Sequence, residues 1–160
     1  MSGAEAPRGR RRVPVDWDDL EVALTWQSDE HESYLDLRTG QVVTHVTGAP
    51  GEDGELSEED VDAGLAEGHL VHIERLPSSL EYGWMAEFAA SLGDPRLRER
   101  LERALRGRGA FRRFKDELGE HPGERERWFA FRDARVREAM LEWLADNAIE
   151  PTTAPPGRSA

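Results

Sequence analysis

The chain has 160 residues, a formal net charge of -12 and no cysteine. That length suits one domain with a real core, and the absence of cysteine excludes disulfides, thiolate nucleophiles and zinc-cysteine sites. No apolar run approaches the roughly 20 residues of a membrane-spanning helix, and Asp16-Trp17-Asp18-Asp19 stands where a secretion signal needs its apolar segment, so a cytoplasmic protein is expected.

The charge is unevenly spread. Val13 to Leu92 carries 19 acids against two bases, and Gly93 to Glu138 carries ten acids against fourteen bases. Only Lys115 among the 21 basic residues is lysine, a bias that a GC-rich genome produces without selection for guanidinium chemistry. The predicted layout is a disordered basic tail over 1–12, one α+β domain over 13–150, and a disordered proline-rich tail over 151–160. Within the domain an acidic part (13–92) precedes an arginine-rich helical part (93–150).

In chain order, Asp16 is a cap for a helix to Trp26, with Val15 as a staple and Trp17, Leu20 and Leu24 facing inward. Tyr34 to Leu37 and Gln41 to Val46 alternate as strands around the turn Arg38-Thr39-Gly40, where glycine meets the needs of a three-residue hairpin loop. Ser57-Glu58-Glu59-Asp60 has the form of a capping box for an acidic helix to Glu67. His69 to Glu74 reads as a third strand. Ser78 with Glu81 predicts another capped helix to Leu92, and Asp94-Pro95 opens the next, with Leu97, Leu101, Ala104 and Leu105 inward.

Gly107 and Gly109 punctuate the passage into a helix that carries Phe111, Phe114 and Leu118 on one face. Pro122 opens the last helix, whose apolar face is predicted to be Phe129, Val136, Met140 and Trp143, with Asp133 near its edge, satisfied by a neighbouring arginine or serving as a functional carboxylate. That helix is expected to end near Asn147, a residue that tolerates a left-handed cap. The order of elements predicts an α+β fold: a small antiparallel sheet, a hairpin plus one strand, followed by a carboxy-terminal helical bundle.

Arg108, Arg112 and Lys115 recur at offsets 0, 4 and 7 beside the apolar face. With Arg113, Arg132 and Arg135 they form the candidate interaction surface, although Arg113, on the far side of its helix turn, is expected to tolerate alanine. Metal binding is not expected: the acids between Asp53 and Asp62 lack EF-hand spacing, and His69 and His72 point to opposite faces of a strand. Signature motifs of common enzymes are absent, so no catalytic residue or cofactor is assigned.

The Tyr34-Leu35-Asp36-Leu37-x-Thr39-Gly40 hairpin, the segment from Gly107 to Asp116, Trp128-Phe129-x-Phe131-Arg132 and Glu142-Trp143-Leu144 together resemble the bacterial uncharacterised protein family 0158. The resemblance spans Asp16 to about Ile149 and implies a fold without implying a reaction. The function expected is therefore a non-catalytic binding or adaptor module acting on an unknown protein or on a second copy of itself. Nucleic-acid binding through the arginine-rich face is the alternative, opposed by the acidic half, which repels the same polyanion. A third possibility is docking of the acidic half on the basic half, within one chain or between two.

Overall fold

The computed structural model describes residues 10–26, 30–46 and 56–155. In chain order its elements are β1 (Arg11–Val13), α1 (Trp17–Thr25), β2 (His31–Asp36), β3 (Val42–Val46), α2 (Glu58–Glu67), β4 (Leu70–Ile73), α3 (Ser78–Ala90), α4 (Pro95–Ala104), α5 (Ala110–Leu118), α6 (Pro122–Asp146) and β5 (Ile149–Pro151). The fold is α+β with a helical carboxy-terminal region. It divides into a sheet unit, residues 1–75 with 137–160, and a helical unit, residues 76–136. One domain over 13–150 is thus resolved into two compact units, and neither boundary falls at the change of charge near residue 92.

In the sheet unit, β2 is the central strand of an antiparallel sheet ordered β3-β2-β4. Tyr34 lies opposite both Val43 and His72, and Ser33 lies opposite Ile73. Tyr34, Val61 and Leu70 form a small core with Val43 and Leu56 packed against it. Strand β2 begins at His31, three residues before its predicted start. The predicted capping box of α2 forms, with Ser57 Oγ accepting from Asp60 N–H at 3.1 Å and the Asp60 carboxylate accepting from Ser57 N–H at 3.2 Å.

A second sheet went unpredicted. Strands β1 and β5 pair in parallel, Arg11 opposite Ile149 and Val13 opposite Pro151. The tails drawn at 1–12 and 151–160 are therefore corrected at their inner ends. Val13 and Ile149 are buried, and Thr153 Oγ1 donates to Val15 C=O at 2.7 Å while accepting from Trp17 Nε1–H at 3.0 Å. Three-residue strands carry too little alternation to register as a period. Residues 1–9 and 156–160 of the predicted tails, and the acidic loop positions 47–55, lie outside the described residues.

In the helical unit, Phe114 is fully buried and meets Trp128 edge-on at 5.1 Å between ring centroids, while Phe88 meets the same indole at 5.5 Å. Ala110 and Leu118 are buried beside Phe114 on α5, whereas Phe111 is only half-buried. The inward face is thus rotated toward Ala110. On α6 the buried positions are Trp128, Val136, Met140 and Leu144, in place of the predicted stripe through Phe129 and Trp143. Phe129 is 45% exposed. At about 100° per residue the observed offsets 0, 8, 12 and 16 spread over about 160°, so the buried stripe drifts round the helix along its length, and a search for one straight face settles on the narrower set 0, 7, 11 and 14 instead.

Two predicted caps are corrected. Pro77 precedes α3, Ser78 is its first helical residue, and no side chain caps that end; Glu81 is engaged by Arg132 instead. At the end of α6 the left-handed residue is Ala148, φ 57, and Asn147 donates its side-chain N–H to Trp143 C=O at 2.9 Å. No helix among the described residues is long and apolar enough to cross a membrane.

Candidate functional site

Six cations were grouped by sequence, and the structure gives them different partners. Arg113 turns back from α5 to the end of α4 and the loop after it: its Nε–H donates to Ala104 C=O at 3.2 Å, and its two terminal nitrogens donate to Arg108 C=O and Arg106 C=O. A guanidinium carries five N–H donors in a rigid fork, which suits a row of carbonyls left over at the end of a helix. Gly107 and Gly109 both have positive φ, and a Cβ on Gly109 would lie 3.2 Å from the Arg113 guanidinium. The Gly-Arg-Gly-Ala-Phe-Arg-Arg-Phe segment is therefore a clasp: the glycines shape the loop and clear room for Arg113, which satisfies its carbonyls. Arg113 is not a spare surface cation, and the expectation that it tolerates alanine is withdrawn.

Arg132 and Arg135 are spent elsewhere in the helical unit. Arg132 Nε–H donates to Glu81 at 3.1 Å, with both side chains about one-fifth exposed. Arg135 donates to Glu87 and stacks its guanidinium 5.0 Å from the Phe131 ring centre. That leaves Arg108, Arg112 and Lys115 exposed. Arg112 is paired only loosely, 3.9 Å from Asp116, in a fully solvated i,i+4 contact of the kind that contributes little. Asp133, predicted near the apolar edge, is exposed.

The other carboxylate that the motifs single out has a structural task. Asp36, 7% exposed, accepts from Arg38 N–H at 2.9 Å and from the Arg38 guanidinium at 3.2 and 3.3 Å. Burial pushes its pKa up, but the side-chain and backbone hydrogen bonds of Arg38 outweigh that and hold it below the usual aspartate value. Gly40, φ 81, closes the same turn, and a Cβ there would come within 2.0 Å of Pro14 C=O. Gly40 C=O in turn accepts from Asp16 N–H at 2.9 Å. This glycine is needed both for its backbone angle and for the close passage of the chain leading into α1.

One concave feature was missed by sequence. At the end of the antiparallel sheet, Ala23, Trp26, His31, Glu32, His72 and Glu74 line a cleft of about 220 Å³, with Ser33, Ile73 and Arg75 completing it. Trp26 is 49% exposed, and its ring is tilted 47° to that of His31 at 5.0 Å. His72 Nε2 lies 2.7 Å from Glu32 Oε1, and its ring meets Tyr34 at 5.3 Å. His31 and His72, far apart in sequence, thus line one cleft. The missing signal was the true start of β2: extending that strand back to His31 against the predicted third strand places Glu32 next to Glu74 and His72. No group of three or more metal-ligating side chains is present among the described residues.

These features define an α+β protein with two internally clasped loops and one small polar and aromatic cleft. Residues 13–155 match the family described as Uncharacterised protein family (UPF0158), and the chain belongs to that family. A UPF0158 protein of Pseudomonas aeruginosa is 34% identical over 143 residues, covering 88% of each chain. No solved structure matches.

Proposed function

We propose that the protein is a non-catalytic binding module, located in the cytoplasm, whose partner is another protein and whose contact surface is the Trp26 cleft. The observation that carries this is an aromatic side chain left half in water at the rim of a cavity edged by hydrogen-bonding groups. Tryptophan is among the residues that dominate interfaces when such a position becomes covered, because it buries a large area at small entropic cost. The test places a photo-crosslinking phenylalanine derivative at position 26, or at exposed Arg103 as a control, in cells. Discrete protein adducts unique to position 26 are expected; none, or adducts equal to those of the control, would refute the proposal.

Nucleic-acid binding is the second reading. Arg108, Arg112 and Lys115 favour it, since their side chains are exposed. The engagement of Arg113, Arg132 and Arg135 within the chain weighs against it. A salt titration of wild type and the Arg108→Ser, Arg112→Ser, Lys115→Ser triple variant against DNA and RNA separates the two. A dissociation constant near or below about 10⁻⁸ M, with a salt slope that falls by about two to three in the variant, would replace the first reading by the second.

A further inference from the structure

We infer that the occupant of the Trp26 cleft is a cationic side chain, arginine or lysine, presented by a basic segment of the partner; this rests on the binding role proposed above. The volume sets the scale. About 220 Å³ is below the range of roughly 300–1,000 Å³ typical of small-molecule sites, and fits one long side chain better than a whole cofactor.

Chemistry selects the sign. The face of tryptophan is the best aromatic acceptor of a cation, and contact with His31 at 5.0 Å supports the indole from one side. Glu32 in β2 and Glu74 just after β4 flank the paired residues Ser33 and Ile73 and line the cleft. Arg75, which also lines it, is engaged within the chain, and its single charge leaves the two carboxylates in excess. The wider field agrees: the sheet unit holds 22 aspartates and glutamates against eight arginines. Such a field draws a cation toward the cleft and repels an anionic group.

The test is a titration followed by tryptophan fluorescence and calorimetry. The probes are capped eight-residue peptides alternating glycine with arginine, lysine, glutamine or glutamate. The arginine and lysine peptides are expected to bind, and the other two are not. Trp26→Ala, and the pair Glu32→Gln with Glu74→Gln, are expected to weaken the arginine peptide by about tenfold or more, in keeping with the size of a partly desolvated cation–π contact. The control pair Glu58→Gln with Glu59→Gln removes the same charge from the first turn of α2 and is expected to change affinity less than about twofold. Equal losses in the two pairs would reduce the effect to a diffuse acidic surface and overturn the inference, as would preference for the glutamine or glutamate peptide. Far-UV circular dichroism and melting confirm that each variant is folded. If position 26 crosslinks to a protein while the basic peptides fail to bind, the cationic occupant is wrong and the binding role stands. If both fail, both fall.

Discussion

At the hairpin turn a carboxylate, Asp36, serves a backbone N–H donor and a guanidinium; in the loop between α4 and α5 a guanidinium, Arg113, serves three backbone carbonyls. The acid reaches two residues along the chain and is buried. The base reaches back five to nine residues and lies in water. Asp36 and Arg113 thus complete the backbone's own hydrogen bonding, whereas Arg108, Arg112 and Lys115 of the same segment as Arg113 stay exposed.

The comparison predicts a ranking of losses. The largest is Phe114→Ala, about 3–5 kcal/mol by chemical denaturation, because a fully buried ring packed on Trp128 leaves a cavity. Half-buried Phe111→Ala is expected to cost clearly less, and equal losses would put the inward face of α5 back where sequence periodicity drew it. Next is Gly40→Ala. The left-handed angle alone costs on the order of 1–3 kcal/mol, and the clash with Pro14 adds to it. A loss smaller than that of the unobstructed Gly68→Ala, also at positive φ, would show that Pro14 passes elsewhere.

Asp36 sharpens the contrast through pH. Its folded-state pKa is lowered, so the Arg38 interaction contributes above the ordinary aspartate value near 4 and is lost as pH falls through the lower folded value. Wild type is expected to exceed Asp36→Asn in stability at neutral pH, with the gap narrowing below about pH 4. A gap independent of pH would show that the charge is immaterial.

The smallest effect concerns Arg113. Arg113→Ala is expected to cost about 1–2 kcal/mol, and Arg113→Lys nearly as much, since an ammonium cannot span three carbonyls. Arg112→Ala should lie within about 0.5 kcal/mol of wild type. If lysine restores full stability at position 113, the clasp is a matter of charge and not of shape.

What could be read from the sequence follows the reach of each interaction. The caps at Asp16, Ser57 and Asp94, the hairpin and the helical spans depend on residues within four positions of one another, and their signals survived. The β1–β5 pair joins residues about 138 apart in strands too short to alternate. The Trp26 cleft needs α1, β2 and β4 together. The engagement of Arg113, Arg132 and Arg135 was not legible because periodicity assigns a face but not the direction in which a long flexible side chain folds.

The parallel pairing of β1 with β5 also bears on the order in which the chain can be built. The helical unit is one uninterrupted stretch, residues 76–136, whereas the sheet unit needs both ends of the polypeptide. During synthesis all of residues 76–136 are made before Ile149–Pro151, while Val13 waits for strand β5. Shortening the chain ahead of Ile149 would therefore strip β1 of its partner at the opposite end of the sequence, leaving the contacts made inside residues 76–136 in place.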